Sequence, residues 1–364
     1  MAEISLCIIT KNNESTIRDC LNSVKYLVSE IVLVDTGSAD NTKAIAAEFT
    51  DRIYDFEWTN NFSEAKNYAL QKATKEWILV LDADEKLSDK DFDSIKKLTA
   101  LKDYMGFSFI QRNYTNEIGS PNWTSSFEDS YAESKVANGY SPTRMIRLFK
   151  NNSQIRFAGV VHDSVEKSLT KIGKFAETDI PIHHFGLLNR GKDRVEFYLE
   201  LEKNNYHGGF FQDYQIGAQL NTLNKLDEAE EYIKKSINDN PSFAQSWLEL
   251  GIIYLKKNKL SEAKESMQKA ESLQLNSMTF NYLGIIFGKE GEFDKSIEYF
   301  RKAIALIPKN ADFHFNLGLT YHQMDNRKEA FLEFKRAIEL NPKYGEMIKL
   351  EWGGLILYDF IQYN

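Results

Sequence analysis

The chain has 364 residues, of which 45 are lysine or arginine and 53 are aspartate or glutamate, for a formal net charge of −8. This acidic balance argues against a broad nucleic-acid-binding surface, because such surfaces carry an excess of basic residues. A hydrophobic content of 42% with 13% aromatic residues indicates folded domains with substantial cores rather than disorder.

Short apolar runs alternate with amphipathic helical segments from residue 1 to about residue 200, which is the pattern of an α/β domain built from βαβ units. Strands are predicted at 4–9, 31–34, 52–56, 77–81, 105–111, 145–149, 156–161 and 180–185. Helices are predicted at 16–28, 41–49 and 62–73. Residues 113–142 have weak periodicity, and a stretch of that length without regular structure is typical of a functional loop.

An internal repeat begins after about residue 205, where the pattern becomes helical throughout. Four glycines recur at spacings of 34, 33 and 34 residues, and a small residue follows each of them twelve positions later. The glycines are Gly217, Gly251, Gly284 and Gly318, and the small residues are Ala229, Ala263, Ser296 and Ala330. Small side chains there let two antiparallel helices approach closely, so 206–343 resembles four tetratricopeptide repeats. The apolar tail at 344–364 is predicted to be a helix that caps the last repeat.

The two cysteines, Cys7 and Cys20, are too few for a disulfide framework or a zinc site. The N-terminus lacks the basic segment of a secretory signal, and no run of about 18 apolar residues exists to span a bilayer. We therefore expect a cytoplasmic protein without a transmembrane segment.

The most informative run extends from Trp77 to Glu85, where five apolar residues lead directly into Asp82, Asp84 and Glu85. Continuous apolar runs are typical of buried parallel strands, and open α/β sheets bind ligands beyond the carboxyl ends of such strands. Mg²⁺ takes oxygen ligands and commonly bridges carboxylates to substrate phosphates. The run therefore predicts a metal-bound diphosphate at Asp82 and Asp84, with a solvated acidic turn as the alternative.

Three further runs accompany this one. Thr10-Lys-Asn-Asn-Glu14 follows the first predicted strand, and Asp35-Thr-Gly-Ser follows the second. A third, Asn-Phe-Ser-Glu-Ala-Lys66-Asn, opens the third predicted helix. In order and spacing, these runs and Asp-Ala-Asp resemble family 2 glycosyltransferases of the GT-A fold.

The resemblance implies roles for most of these residues. Asp35 would contact the nucleotide, with a simple turn cap as the alternative, while Asp82 and Asp84 would serve the ribose and the metal. Thr10, Asn13 and Glu14 would line the nucleotide pocket, and Lys66 would lie near the phosphates. Asp40 and Thr42 are predicted to be turn caps without a chemical role.

Motifs in the second half of the domain extend the resemblance. They are Arg144-Met-Ile-Arg147, Gly-Val-Val-His162-Asp163 and Ile-His183-His184-Phe-Gly186. They look like the bacterial family 2 branch in which tetratricopeptide repeats follow the catalytic domain, a branch that includes S-glycosyltransferases of sublancin-type bacteriocins. That branch usually has His-Glu where this chain has His-Asp.

Arg144 and Arg147 are predicted to lie on one strand edge near the diphosphate, with surface ion pairs as the alternative. His183 and His184 are neighbours on a strand and face opposite ways, and Gly186 favours His184 as a third metal ligand. His162 is a second candidate for that ligand, with a hydrogen-bonded core residue as the alternative.

The resemblance implies an inverting transfer from a nucleotide diphosphate sugar, taken to be UDP-linked, with Mg²⁺ or Mn²⁺ as cofactor. Asp163 is the candidate general base, and Glu128 and Asp129 are the runners-up. The repeats are expected to select a protein or peptide acceptor, although homodimerisation through the repeats stays open. The alternatives are a polysaccharide or lipid-linked acceptor, a sugar-1-phosphate nucleotidylyltransferase, and a repeat scaffold with an inactive transferase domain.

Overall fold

The computed structural model of the protein describes residues 3–116, 122–161, 163–186, 188, 192–351 and 354–357, without the side chains of 192–194 and of residues after 348. The chain folds into two compact units. The first consists of Met1–Tyr114, Tyr131–Val136 and Pro142–Asn189, and the second of Thr115–Ser130, Ala137–Ser141 and Arg190–Asn364. The chain therefore passes between the units several times rather than through a single linker.

The first unit is built on a mixed β-sheet. Its strands are Ile4–Thr10 (β1), Glu30–Asp35 (β2), Ile53–Asp55 (β3), Trp77–Val80 (β4), Glu85–Lys86 (β5), Gly106–Thr115 (β6), Gly139–Lys150 (β8) and Phe175–His184 (β9). They lie in the order β3-β2-β1-β4-β8-β6-β9-β5. The short strand Thr124–Ser125 (β7) pairs with the first residues of β8, and both of these stretches belong to the second unit. Pairing is parallel from β3 to β4, whereas β8 runs antiparallel to β4. The carboxyl ends of β1, β2 and β4 therefore meet at one edge.

Five helices belong to this unit, in the part of the chain that the structure describes. They are Ile17–Val24 (α1), Thr42–Ala46 (α2), Phe62–Lys72 (α3), Phe92–Leu98 (α4) and Glu166–Leu169 (α5). Two apolar cores form, one on each face of β1, because β1 sends Leu6 and Ile8 into one core and Cys7 into the other. Burial on both faces explains the continuous apolar sequences of the central strands.

The second unit is helical. Its helices are Lys192–Asn204 (α6), Phe210–Thr222 (α7), Leu226–Asp239 (α8), Ala244–Lys256 (α9), Leu260–Leu273 (α10), Ser277–Lys289 (α11), Phe293–Leu306 (α12), Ala311–Gln323 (α13), Arg327–Leu340 (α14) and Tyr344–Met347 (α15). Four consecutive helix pairs, from α7–α8 to α13–α14, carry the repeat. A Cβ on Gly284 would lie 2.7 Å from a ring carbon of Phe300, so only glycine lets α11 approach α12 this closely.

The tail differs from the predicted capping helix. Helix α15 is a single turn, and it is followed by the antiparallel strands Ile348–Glu351 (β10) and Gly354–Leu357 (β11). Two consecutive glycines, Gly353 and Gly354, interrupt the apolar tail, and glycine is a poor helix former. The helical unit also begins at Arg190, inside the 1–200 range that we assign to the first domain from the sequence.

The long segment at 113–142 is held largely by the repeats. Trp123 is 1% exposed and packs in the same core as Ala311, Phe315 and Tyr344. The Ser125 amide donates to the carbonyl of Lys309 at 2.9 Å, and its hydroxyl donates to the carbonyl of Leu340 at 2.6 Å. Residues 115–130 and 137–141 are therefore structural parts of the second unit.

Candidate active site

Asp35 lies at the carboxyl end of β2, in register with Thr10 at the end of β1. Its Oδ1 accepts hydrogen bonds from the amides of Gly37 at 2.9 Å and Ser38 at 2.8 Å, so this oxygen caps the turn. Its Oδ2 is buried and has no hydrogen-bond partner among the described residues. Buried polar atoms in folded proteins are nearly always paired, so a lone carboxylate oxygen calls for a ligand or a bound water.

The loops after β1 and β2 are joined by side chains of both. The Thr10 hydroxyl donates to the side-chain oxygen Oδ1 of Asn13 at 3.0 Å, and the backbone N–H of Asn13 donates to Thr42 Oγ1 at 2.7 Å. Glu14 Oε2 accepts from the amide of Asn41 at 3.0 Å. Asp40 Oδ1 accepts from the amide of Thr42 at 3.0 Å, the capping contact that we expect from the sequence. Thr10, Asn13 and Glu14 thus shape the rim of the edge at which Asp35 lies.

Lys66 links two of the predicted site carboxylates. It lies on α3 and is only 7% exposed. Its Nζ is 3.3 Å from Asp82 Oδ1 and 3.0 Å from Asp163 Oδ2. Residues that are far apart in sequence are therefore brought together by one ammonium group.

Arg147 lies on the other side of Asp82 and is 2% exposed. Its Nη2 is 3.3 Å from Asp82 Oδ2 and 2.8 Å from Glu85 Oε1. Gln111 also donates to Glu85 Oε1, and Glu85 Oε2 accepts from the amide of Asp82 at 2.7 Å. The Nε of Arg147 is buried without a hydrogen-bond partner in the described part of the chain.

Burial and charge oppose each other in this network. Burial alone would lower the pKa of Lys66, but Asp163 and Asp82 reverse the effect and the pKa lies above its usual value. Burial would raise the pKa of Asp82, and Lys66 and Arg147 bring it below its usual range. The pKa of Glu85 is raised, by burial first and then by the nearby Asp82, although Arg147 acts in the opposite direction. Asp82 is thus held as a carboxylate by two cations.

Asp84 and His184 form a second pair at the site. Asp84 Oδ2 lies 3.4 Å from His184 Nε2, and burial of the imidazole, which lowers its pKa, is outweighed by Asp84, so the pKa of His184 is raised. Carboxylate and imidazole are common metal ligands, so this pair fits a divalent cation. Among the described residues, however, no group of three or more His, Cys, Asp or Glu side chains is arranged as a complete metal site. Asp82 instead faces Lys66 and Arg147.

Several predicted residues lie elsewhere. Arg144 is 3.4 Å from Glu177 and 3.3 Å from Asp179, and it does not join Arg147. A spacing of three places two strand residues on opposite faces, so the expectation that both arginines share one edge is wrong. His162 lies outside the described residues.

The two runners-up for the general base belong to the second unit. Glu128 and Asp129 lie in Thr115–Ser130, and Glu128 Oε2 is 4.0 Å from Lys309 Nζ. The histidine pair, by contrast, divides as strand geometry requires. His183 Nδ1 is 2.7 Å from the Tyr114 hydroxyl, while His184 contacts Asp84.

Sequence reasoning assigned no role to Glu85, Gln111 or Asn113. Gln111 contacts Glu85, and Asn113 contacts His184. Gln111 and Asn113 alternate along β6, which extends four residues beyond the predicted strand. The polar alternation at 111, 113 and 115 was the available signal for a strand face directed at the site. The Cys20 thiol donates to the backbone carbonyl of Asp82 at 3.5 Å, and burial raises the pKa of Cys7 to about 12.

Comparison with known proteins agrees with this geometry. The model of glycosyl transferase family 2 matches residues 5–159, and tetratricopeptide repeat models match 244–277, 284–325 and 311–344. An uncharacterized glycosyltransferase of Rickettsia bellii is 36% identical over 234 residues, which cover 64% of this chain and 68% of that protein. The chain belongs to glycosyltransferase family 2. Its predicted fold class, an α/β transferase domain followed by helical repeats, is confirmed.

Two other relatives match different lengths of this family 2 glycosyltransferase. The prophage-derived glycosyltransferase SunS of Bacillus subtilis is 29% identical over 318 residues, which cover 84% of this chain and 67% of SunS. A TPR repeat-containing protein of Synechococcus elongatus is 32% identical over 203 residues. The match covers 54% of this chain and 44% of the latter protein, so it spans less than half of that relative. No helix within the described residues is long and apolar enough to cross a membrane.

The Lys66 bridge gives a first prediction. Lys66→Met should lower the free energy of unfolding by about 3–5 kcal/mol, because it leaves two neighbouring carboxylates without their shared cation. Adding Asp163→Asn should restore part of the loss by removing one of those charges. Urea unfolding at pH 7 measures both effects. The control Lys75→Met, in a surface pair with Glu3, should cost at most about 1 kcal/mol. A double variant no more stable than Lys66→Met would contradict the shared-cation account.

Proposed function

We propose that this glycosyltransferase takes its sugar from a nucleotide diphosphate donor, which we expect to be UDP-linked. The proposal rests above all on two buried cations beside Asp82 and on the unpartnered oxygen of Asp35, all near the carboxyl ends of parallel strands. A diphosphate is an anion that Lys66 and Arg147 can bind, and arginine binds phosphate oxygens with particular geometric specificity. The nucleoside would then extend along the rim formed by Thr10, Asn13 and Glu14 toward Asp35.

Donor binding would change the partners of Asp82. In the described structure both of its oxygens are engaged by cations, Oδ1 by Lys66 and Oδ2 by Arg147. The oxygens of a diphosphate compete for the same two cations, so part of their attraction for Asp82 is lost as the donor enters. Asp82 then becomes available for the ribose or for a cation. We therefore expect the donor and a divalent cation to bind cooperatively.

A divalent Mg²⁺ or Mn²⁺ fits the chemistry of Asp84 and His184, with Asp82 as a further oxygen donor. When bound, such an ion supplies Lewis-acid stabilisation of the charge that develops on the departing diphosphate. Lys66 and Arg147 add positive charge of their own in a buried environment, where electrostatic stabilisation is strong. The protein thus contributes fixed charges that act together with the cation.

For the proton transfer we propose Asp163. Its carboxylate is buried and lies within 3.0 Å of the lysine that also contacts Asp82, so it belongs to the same cluster as the Asp-Ala-Asp run. A general base accepts the proton of the acceptor group while the sugar migrates, and it contributes typically about 10²–10⁴-fold to the rate. Inversion at the anomeric carbon is what the family resemblance implies.

For the acceptor we propose a protein or peptide that binds along the repeats. The first helices of the repeats carry amide, imidazole and indole side chains, which are groups that hydrogen-bond a peptide backbone: Gln215, Gln219, Trp247, Asn281, His314, Asn316 and His322. Of these, His314 and Trp247 already have partners within the protein at their ring nitrogens. Both amide atoms of Gln219 are buried without a partner among the described residues. Asn316 Nδ2 donates to Asn281 Oδ1 at 2.9 Å, which joins two neighbouring repeats through amides. A polysaccharide or lipid-linked acceptor and self-association through the repeats are the competing proposals.

Asp84 provides the test of cation dependence. Asp84→Asn should lower kcat/KM by at least about 100-fold, because the cation contributes several kcal/mol of charge stabilisation in such reactions. Asp93→Asn, an exposed acid on α4, is the matched control and should keep full activity. Donor hydrolysis and transfer are followed with Mn²⁺ and with excess EDTA. Full turnover by Asp84→Asn, or by the unmodified protein in EDTA, would exclude a metal-dependent reaction.

Asp163 is tested by separating binding from turnover. Asp163→Asn keeps the size of the side chain, so donor affinity measured by calorimetry should stay near that of the unmodified protein while kcat falls by about 10²–10⁴-fold. A large loss of donor affinity with unchanged kcat would instead assign Asp163 to binding.

The acceptor is tested in the full chain, because the repeats hold Trp123 and truncation would expose it. Replacing Asn281 and Asn316 together by alanine removes both partners of one hydrogen bond, so neither amide is left unpaired. We expect the KM for peptide acceptors to rise by about tenfold, the effect of losing roughly 1.4 kcal/mol of binding energy, with donor hydrolysis unchanged. Lys335→Ala, on the exposed face of α14, is the control. Unchanged KM in the double variant, with an altered oligomeric state by light scattering, would favour self-association.

A further inference from the structure

His184 contacts Asn113 through Nδ1, the ring nitrogen that does not face Asp84. Asn113 on β6 lies in register with His184 on the neighbouring parallel strand β9. Its Oδ1 is 2.7 Å from His184 Nδ1. Because a carboxamide oxygen can only accept a hydrogen bond, Nδ1 must carry the hydrogen in this contact.

Thr143 on β8 also contacts the asparagine. The Nδ2 of Asn113 donates to Thr143 Oγ1 at 3.1 Å, while its Oδ1 faces the imidazole. Three strands thus supply one chain of contacts, from Thr143 through Asn113 to His184. Neither Thr143 nor Asn113 carries a charge, so these two residues act on His184 through geometry.

The consequence concerns the other ring nitrogen. With hydrogen on Nδ1, a neutral His184 presents the lone pair of Nε2, and this atom faces Asp84 Oδ2 at 3.4 Å. Adjacent ligand atoms around one Mg²⁺ or Mn²⁺ ion are about 3 Å apart, since each lies about 2.1 Å from the metal. The two atoms are therefore spaced as neighbouring ligands of one cation.

Gly186 keeps the space beside these two atoms open. A Cβ at this position would lie 2.4 Å from Asp84 Oδ2 and 2.6 Å from His184 Nε2. Any other residue would push the carboxylate and the imidazole away from their present positions. The clearance is on the side where Asp84 and His184 face each other.

We propose that Asn113, which is hydrogen-bonded to Thr143, is a positioning residue that fixes the Nδ1–H tautomer of His184 and so presents Nε2 to a divalent cation shared with Asp84. The inference rests on the metal-dependent function proposed above, and it adds a residue that does not itself bind the ion. Partners of this kind that orient a ligating histidine typically change metal affinity by about 10–100-fold when they are replaced.

The test measures cation binding without catalysis. Mn²⁺ affinity is determined by electron paramagnetic resonance titration of the full chain in the presence of UDP and without acceptor. Asn113→Ala should weaken Mn²⁺ binding by about 10–100-fold, as should Thr143→Val to a smaller degree. Asn113→Asp keeps an acceptor oxygen at the same place and should stay within a few-fold of the unmodified protein. Asn22→Ala, an exposed asparagine on α1, is the matched control.

A spectroscopic measurement separates positioning from a general loss of structure. In the UDP-bound protein without a divalent cation, ¹⁵N spectra of the histidines should show neutral His184 with hydrogen on Nδ1, and Asn113→Ala should shift this hydrogen toward Nε2 while its melting temperature stays above the assay temperature. Normal Mn²⁺ affinity in Asn113→Ala together with weak binding in His184→Ala would overturn the role of Asn113 and leave metal dependence intact. Absence of Mn²⁺ binding by the unmodified protein with UDP would overturn both.

Discussion

The site of the first unit depends on the ion pairs that two buried cations, Lys66 and Arg147, form with Asp82. Lys66 and Arg147 each lie 3.3 Å from a different oxygen of this carboxylate. Removing a charged group from water costs several kcal/mol, so such groups persist inside a protein only when partners surround them. Here the partners come from separate elements: Asp82 and Glu85 follow β4, and Asp163 precedes α5. The strand ends, α3 and β8 are therefore constrained to meet at one point.

The same ion pairs explain why the five charged residues cannot be treated as independent binding groups. Three carboxylates face two cations, and the balance of burial and charge sets each protonation state. Asp82 stays ionised because it has two cations, whereas Glu85, more deeply buried and next to Asp82, has a raised pKa. An entering anion would alter every member at once.

The sequence predicted the elements that one local pattern specifies. The central strands were found because burial on both faces demands an unbroken apolar run, as in Trp77–Val80, and the repeats because one packing solution recurs with a fixed period. Asp82 became a candidate through the apolar run that ends at it, and Asp35, Lys66 and Asp163 through the family resemblance. The relation between Arg144 and Arg147 was missed because it depends on strand geometry at a spacing of three. Asn113 was missed because its partner lies 71 residues away. The packing of Trp123 could not be predicted from the sequence around it, because the helices that bury it lie nearly 200 residues further along the chain.

The burial of Trp123 by the repeats limits how the gene can be divided by recombination. The chain leaves the first unit after Tyr114, returns at Tyr131, leaves again after Val136, returns at Pro142 and leaves finally after Asn189. A gene segment that ended at Asn189 would encode an indole ring and a strand whose packing surface was missing. Recombination at a single point after Asn189 would therefore leave Trp123 without the helices that bury it. Substitutions that reshape the packing surface of the last repeats would act on Trp123 as well.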